Sequence, residues 1–351
     1  MLQDRIPFSR QAYLHTDELF DAASGTSLRI DCLGAAAGLS HIRQISHPGR
    51  WGFDSLELAA HVRADGNLED DMAAFLFIER SQGSSIAGLP LDDRTVLSLP
   101  PGGEIKACMR SGAIYRGVVV PAATWLAIQQ KAVGFIRAGG SGASILRLDT
   151  NAGLALFDDT ARLGDRLDAD ISRNTLANDA HYGLPLPLAD CLERLAEIQA
   201  WAPNGYEAIN RCLDARLRHA WRAKDFIVAH LADENLSVNQ LCDVVNVSRR
   251  QLEYAFRATF DCSPYAFIQS ARLNEIRRHL LRGGCRTVTE IALENGIQHL
   301  GRFSVAYRNL FGELPKATAR KGTTTQTRNL ETGSRLSPPA LGRRVRPIRA
   351  P

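Results

Sequence analysis

The chain has 351 residues, of which 45% are hydrophobic and 23% are charged. This length is enough for two domains, and the composition is that of a globular protein, which excludes a wholly disordered or fibrous chain. The net charge of +4 is unevenly distributed: residues 212–321 carry +6 and residues 322–351 carry +5, which leaves −7 for the rest. Positive charge therefore lies where a nucleic-acid-binding segment would need it to neutralise phosphates.

The sequence predicts a cytoplasmic protein without membrane contact. Its first residues, Met1–Pro7, lack the apolar core of a secretion signal, and the longest apolar run is too short for a bilayer and contains Pro121. The seven cysteines are an odd number and include no CxxC pair. This pattern favours free, reduced thiols over disulfides or a zinc site.

The N-terminal part, residues 1–205, is predicted to be a β-rich barrel or sandwich with trailing helices. Alternating runs between turn residues predict strands at Ser27–Cys32, Leu39–Ile45, Leu56–Val62, Ala73–Glu79, Thr95–Leu99, Glu104–Met109 and Ala113–Val120. Turns are predicted at Asp65-Gly66 and three later places. Helical periodicity follows over Ala122–Arg137 and Leu188–Trp201. The apolar stripe of the second helix is either ordinary core or a dimer seam, and the stripe consists of Leu188, Cys191, Leu192, Leu195 and Ile198.

This part offers no residue set for catalysis, a cofactor or a metal ion. Its histidines are isolated from one another, and these are His15, His41, His47 and His61. Neither a glycine-rich phosphate loop nor a nucleophile elbow is present in the sequence. We therefore predict no enzyme activity and no cofactor; a barrel of this size either encloses a small molecule or is filled by its own side chains.

The C-terminal part contains one pattern twice, about 50 residues apart. The first copy has Ser237-Val-Asn-Gln240, Cys242, Asn246-Val247, then the stripe Leu252, Phe256 and Phe260. The second copy has Thr287-Val-Thr-Glu290, Ala292, Gly296-Ile297, then the stripe Phe303, Tyr307 and Phe311. Each copy predicts a capping box, a short helix with a small central residue, a turn with positive φ, and a second amphipathic helix. Two such units in tandem are typical of a reader of double-stranded DNA.

The final segment, residues 322–351, is predicted to be a disordered basic tail. It contains six arginines, one glutamate and few apolar residues. It is either an inert solvated tail or a nonspecific phosphate contact. If deleting residues 322–351 leaves the salt dependence of DNA affinity unchanged, the second alternative is excluded.

From about Arg216 to Lys321 the sequence resembles the DNA-binding domain of the AraC/XylS family of transcriptional regulators. The connecting segment Ser263–Leu281 and the run Phe311-Gly-Glu-Leu-Pro315 contribute to the resemblance. The run His299-Leu-Gly-Arg-Phe303, together with Phe311–Pro315, is also weakly similar to the ethanolamine-operon-regulator-like subgroup. Three positions depart from the family pattern: Asn246 replaces glycine, Ile297 replaces phenylalanine, and Thr318 replaces a tyrosine that often closes the domain.

The resemblance implies two helix-turn-helix units, at 237–260 and 287–311, joined by a linker helix at 264–281 within a DNA-binding domain at 212–321. The recognition helices are implied to enter successive major-groove segments about 34 Å apart. The residues predicted to contact DNA are Arg249, Arg250, Glu253, Tyr254, Arg257, His299, Leu300, Gly301, Arg302, Ser304 and Arg308. Any one of these arginines either reads a base or contacts only phosphate.

The resemblance also implies a metabolite-responsive activator of a nearby operon, with promoter DNA and RNA polymerase as partners and an unidentified effector. The N-terminal part is then an effector and dimerisation module, and the protein is expected to form a homodimer. One alternative is a metabolite-binding or enzymatic N-terminal domain with secondary DNA binding, which would require clustered catalytic groups. Another is an architectural DNA binder that responds to no effector.

Overall fold

The computed structural model describes residues 7–14, 26–35, 38–47, 50–133, 144–148, 150–201, 206–208 and 215–331. The N-terminal part is rich in antiparallel strands, and the C-terminal part is helical. The predicted two-part α+β fold is confirmed. None of the helices in the described ranges combines the length and the apolar character needed to cross a membrane.

The strands of the N-terminal part form two antiparallel sheets. The larger sheet has the order β1-β3-β4-β11-β6-β9-β12-β13, and the smaller one has the order β2-β5-β10-β7-β8. The strands are β1 (Phe8–Leu14), β2 (Thr26–Cys32), β3 (Ser40–His47), β4 (Trp51–Glu57), β5 (Val62–Leu68), β6 (Met72–Arg80), β7 (Ser85–Ile86), β8 (Leu89–Pro90), β9 (Thr95–Leu99), β10 (Glu104–Met109), β11 (Ile114–Pro121), β12 (Ser144–Arg147) and β13 (Tyr206–Ala208).

Ten helices complete the described part of the chain. Three belong to the N-terminal part: α1 (Ala122–Val133), α2 (Asn151–Arg173) and α3 (Leu186–Trp201). Seven follow in the C-terminal part: α4 (Ala215–Ala229), α5 (Val238–Val245), α6 (Arg249–Phe260), α7 (Pro264–Arg282), α8 (Val288–Glu294), α9 (Leu300–Phe311) and α10 (Pro315–Glu331).

The larger sheet is buried on both faces. One face packs against the smaller sheet, so that Ile42 and Leu97 share a core with Ile30 and Val62. The other face packs against α1, α2 and α3 through a second core, whose members include Phe53, Phe75, Ile128, Leu156 and Leu192. The stripe on α3 belongs to this second core, with Leu188, Leu192 and Leu195 fully buried. The stripe is therefore core and not a dimer seam.

Two predictions for the N-terminal part were wrong. The turn predicted at Asp65-Gly66 lies inside β5, where Gly66 pairs with Leu28 of β2. A Cβ on Gly66 would collide with the carbonyl oxygen of Ser27, so the glycine permits close approach of two strands instead of a turn. The strand predicted at Leu56–Val62 is divided between β4 and β5.

Several elements were not predicted at all. The longest of them is α2, which buries Leu156, Leu163 and Leu167 and begins at the N-cap Thr150. These leucines lie seven and four positions apart, and most residues between them are aspartate, glycine or arginine. The helix was missed because its apolar stripe is narrow and gives only a weak helical periodicity. Strand β1 was also missed, and residues 134–137 of the first predicted helix lie outside the described residues.

The predicted disordered tail requires a correction over residues 322–331. These residues continue α10, which packs along α7. Gly322 is buried, and a Cβ there would collide with the carbonyl oxygen of Leu280, so the missing side chain allows the two helices to meet. No proline interrupts the chain before Pro338. Residues 332–351 lie outside the described residues.

The six cysteines in the described ranges form no disulfide. Cys108, for example, is buried with its Sγ 3.1 Å from Nε2 of His61. Burial raises the pKa of the Cys108 thiol to about 12, so it remains protonated at neutral pH. Among the described residues, no group of three or more His, Cys, Asp or Glu side chains is placed to hold a metal ion. His15 lies outside the described residues.

Candidate nucleic-acid interface

The two repeats fold as helix pairs whose ends are fixed by side-chain caps. Ser237 and Gln240 form a capping box at α5, and Thr287 and Glu290 form one at α8. Ser248 opens α6 with a third box, completed by Gln251. Each box satisfies backbone N–H groups that a helix N-terminus leaves without partners. The capping boxes predicted from the repeat are confirmed.

The turns within the two units have the predicted left-handed backbone. Asn246 has φ 54° and Gly296 has φ 74°. At Asn246 the backbone N–H donates to the carbonyl groups of Cys242 and Asp243, which ends α5. The substitution of asparagine for the family's glycine is tolerated because asparagine enters this region more readily than other residues that carry a side chain.

We predict that replacing Asn246 with alanine lowers the free energy of unfolding by about 1 kcal/mol. Alanine has a Cβ but lacks the short polar side chain that makes the left-handed conformation tolerable to asparagine. Asn246→Gly is the matched control and is expected to leave stability unchanged or slightly higher. Urea unfolding of both variants makes the comparison, and equal losses would contradict the prediction.

Both predicted apolar stripes are buried. Leu252, Phe256 and Phe260 pack in the core of the first unit, with the ring centroids of Phe256 and Phe260 5.4 Å apart. Phe303, Tyr307 and Phe311 pack in the core of the second unit. Ala292 is fully buried in its predicted small-residue slot, whereas its counterpart Cys242 is only half-buried. The opposite faces of α6 and α9 are therefore free of these cores.

The residues predicted for DNA contact on α6 lie on its outer face. Arg249, Arg250, Tyr254 and Arg257 are exposed, and Glu253 is half-buried. The guanidinium of Arg250 lies 5.7 Å from the ring centroid of Tyr254, and its Nη2 is 3.5 Å from the Tyr254 hydroxyl. These contacts limit the side-chain freedom of Arg250 before any ligand binds, which lowers the entropic cost of a fixed contact.

The residues predicted on the second unit lie around the start of α9. His299, Leu300, Gly301, Arg302 and Arg308 are exposed, and Ser304 is half-buried. His299 is the N-cap of α9, but its side chain makes no capping hydrogen bond. Leu300 and Gly301 have no side-chain donor, so Arg302 is the cation nearest the helix start. The second face is less rich in hydrogen-bond donors than the first.

Contacts between the two units fix their relative position, and the sequence did not reveal them. Nη2 of Arg272, on α7, donates to the carbonyl oxygen of Asp233 at 2.6 Å, and Gln298 donates to Glu234 at 3.1 Å. The guanidinium of Arg272 also lies against Gly296, where a Cβ would approach it to 2.9 Å. An arginine in the apolar stripe of α7 was the available sequence signal, because buried arginines need a partner.

A cleft of about 420 Å³ lies where the N-terminal part meets the C-terminal part. Arg29 of β2 lines one side, and the end of α4, α7 and α8 line the others. Its polar lining consists of Arg29, Glu275, His279, Glu294 and Asn295. Burial alone would raise the pKa of Glu275, but the charge of Arg278, the hydrogen bonds that Arg278 donates and the charge of Arg29 outweigh it and lower that pKa.

Residues 241–321 match a protein family described as a helix-turn-helix domain. A similar protein is the XylDLEGF operon transcriptional activator of Pseudomonas putida, 37% identical over 102 residues, which are 28% of this chain and 32% of the activator. Another is the "Probable thc operon regulatory protein" of Rhodococcus erythropolis, 32% identical over 178 residues, or 50% of this chain and 51% of that protein. The matched segments thus span about a third to a half of these relatives.

Among solved structures, a probable AraC family transcriptional regulator from Rhodopseudomonas palustris is 29% identical, covering 30% of this chain and 97% of that one, with a TM-score of 0.29. ToxT from Vibrio cholerae is 11% identical, covering 90% of this chain and 98% of that one, with a TM-score of 0.31. The family match and the operon regulators agree with the resemblance: the C-terminal part carries an AraC/XylS-type helix-turn-helix domain, a type that binds DNA.

Proposed function

We propose that this protein, with its AraC/XylS-type helix-turn-helix domain, is a transcriptional regulator that binds a specific promoter sequence. The observation that carries the proposal is the pair of recognition helices, α6 and α9. Each helix buries one face in its own core and exposes the opposite face, and α6 is also fixed by a capping box. The connecting helix α7, with Arg272, holds the two units together. A rigid pair of such helices suits two major-groove segments on one side of the duplex.

Residues 212–321 are proposed to bind DNA and residues 1–205 to sense an effector and to dimerise. The two relatives named above are regulators of operons, and one is a transcriptional activator, which supports activation of an operon with RNA polymerase as a further partner. The N-terminal part has two cores of its own, as a module with a function distinct from DNA binding would need. The effector is proposed to be a small metabolite related to the substrates of the enzymes that the regulated operon encodes.

The proposed function predicts a footprint of defined geometry. Purified full-length protein at physiological salt is bound to fragmented genomic DNA, and the best site is then footprinted. We expect two protected major-groove segments separated by one helical turn, about 34 Å. Binding spread evenly over all sequences would contradict the proposal and indicate electrostatic attraction alone.

A further inference from the structure

The end of β2 lies between the cores of the two helix-turn-helix units. The side chain of Cys32 is 2% exposed and belongs to the buried cluster that α7 shares with the second unit, whose members include Leu273 and Phe303. The next residue, Leu33, packs against the core of the first unit. Two consecutive residues of the N-terminal part thus join the two C-terminal cores, each of which α7 shares with one unit.

A side chain of α7 binds the backbone of β2 at this point. Oδ1 of Asn274 accepts from the backbone N–H of Cys32 at 2.9 Å, and Nδ2 of Asn274 donates to the carbonyl oxygen of Cys32 at 2.8 Å. β2 is an edge strand, with β5 as its neighbour in the smaller sheet. The amide of Asn274, itself 2% exposed, therefore replaces one residue of a neighbouring strand at this edge.

A buried ion network fixes the same contact from the adjacent residue. Asp31 is 1% exposed, and its carboxylate contacts Arg63 of β5 and accepts from Nη1 of Arg278 at 2.6 Å. Glu275 joins the network through Arg278 at 2.8 Å and Arg29 at 3.2 Å. Burial alone would raise the pKa of Asp31, but the charges of Arg63, Arg278 and Arg29 outweigh it and hold that pKa well below its usual range. The network is therefore charged at neutral pH, and its geometry specifies one register between β2 and α7.

The N-terminal part contacts the first helix-turn-helix unit and α4 without covering the recognition helices. Arg110 of the loop after β10 contacts Asp261, the C-cap residue of α6. Lys224 of α4 contacts Asp65 of β5. Arg250, Tyr254 and Arg302 nevertheless remain exposed in the full chain. These contacts lie away from the outer faces of α6 and α9 and leave those faces open.

We propose that residues 31–33 form a brace that fixes the relative orientation of the two helix-turn-helix units, with Asn274 as its positioning residue. The brace rests on the proposed function, because it acts on the ability of both units to bind one DNA site together. A rearrangement of the smaller sheet would then change how well α6 and α9 cooperate, without any contact between that sheet and DNA. The N-terminal part would regulate two-segment binding through Asn274 and Asp31.

The test compares the full-length protein with its Asn274→Ala variant on two duplexes. One duplex carries the footprinted site, and in the other the segment read by α9 is replaced by unrelated sequence. The measured quantity is the dissociation constant for the one-segment duplex divided by the dissociation constant for the full site. We expect this ratio to fall by about fivefold or more in Asn274→Ala, while affinity for the one-segment duplex stays unchanged.

Ser270→Ala is the matched control. Ser270 lies one turn earlier on α7, and its hydroxyl donates to the carbonyl oxygen of Ala266 in the same helix. This variant is expected to keep the wild-type ratio. If Asn274→Ala does not fold, Asn274→Asp keeps the acceptor for the Cys32 N–H, loses the donor to the Cys32 carbonyl, and is expected to give an intermediate ratio.

Two results would overturn the brace. The first is a folded Asn274 variant that keeps the wild-type ratio. The second is an equal loss of affinity on both duplexes, which would give Asn274 a purely structural role. A wild-type protein that does not distinguish specific from random DNA would instead overturn the proposed function, and the brace with it.

Discussion

Replacing Arg250 with alanine is expected to relax base preference at one position of the DNA site, at a cost of about 1–3 kcal/mol there. Arg250 lies on the exposed face of α6, two positions from its N-cap, and its guanidinium is held beside the ring of Tyr254. An arginine in this place can donate two hydrogen bonds to the O6 and N7 atoms of one guanine. Loss of such a pair affects that base and few others.

The measurement is binding to a set of duplexes that carry every single-base change in the footprinted site. Arg282→Ala is the control, because Arg282 is an exposed arginine in the last turn of α7 and was not predicted to face DNA. Tyr254→Phe tests the neighbouring group: the ring beside Arg250 remains while the hydroxyl at 3.5 Å is lost, so only a small effect is expected. A uniform loss over all duplexes would make Arg250 a phosphate contact instead.

Arg302→Ala extends the same prediction to the second unit. We expect a loss of about 1–3 kcal/mol at one base position, about one helical turn from the position affected by Arg250→Ala. Leu300 and Gly301 precede Arg302 and bring no side-chain donor, although Leu300 can make apolar contact with a thymine methyl group. The segment under α9 is therefore expected to tolerate more base changes than the segment under α6.

The repeated units could be predicted from sequence because their determinants are local. The bond from Ser237 to the third helical residue, the left-handed Asn246 and the stripe through Phe256 all depend on residues within about ten positions. Two copies whose spacing differs by only one residue strengthened each signal. Within the predicted slots the structure differs at one position, since Cys242 is less buried than its counterpart Ala292.

The contact between the two parts could not be predicted, because its partners are about 240 positions apart in the sequence. Asp31 lies in a predicted strand and Arg278 in a predicted helix, and neither residue type is unusual there. Asn274 binds the backbone of Cys32, so the identity of residue 32 gives no information about the pairing. At Gly66 the local signal was strong but wrong. An Asp-Gly pair usually indicates a turn, whereas here the glycine lies within β5 and allows β2 to approach closely.

Replacing Arg277 with alanine is expected to lower the free energy of unfolding of the second unit by about 3 kcal/mol. The side chain of Arg277 is 1% exposed, and its Nη1 lies 2.8 Å from Oε1 of Glu313 and 3.1 Å from the Thr318 hydroxyl. Its guanidinium also lies 4.7 Å from the ring centroid of Phe311. Removal of the arginine leaves a cavity and deprives the Glu313 carboxylate of a buried partner.

A double-mutant cycle separates the ion pair from the packing. Arg277→Met keeps most of the side-chain volume against Phe311, and Glu313→Gln removes the opposite charge. We expect a coupling of about 1 kcal/mol or more between these two substitutions in urea unfolding. A coupling near zero would mean that packing of the Arg277 stem, and not the ion pair, stabilises the unit.

The same network predicts how stability depends on pH, and it explains why Thr318 serves where the family often has tyrosine. The Thr318 hydroxyl accepts from Tyr307 at 2.9 Å and donates to Glu313 at 2.8 Å, so it joins both groups to Arg277. Burial alone would raise the pKa of Glu313, but hydrogen bonds from Lys321, Thr318 and Arg277 and the charge of Arg277 lower it to about 2. Because this folded pKa lies below the ordinary value of 4.5, the contribution is complete above that pH and is lost as the pH falls towards 2. Glu313→Gln should remove this part of the acid dependence of unfolding, and an unchanged acid profile would show that other carboxylates control it.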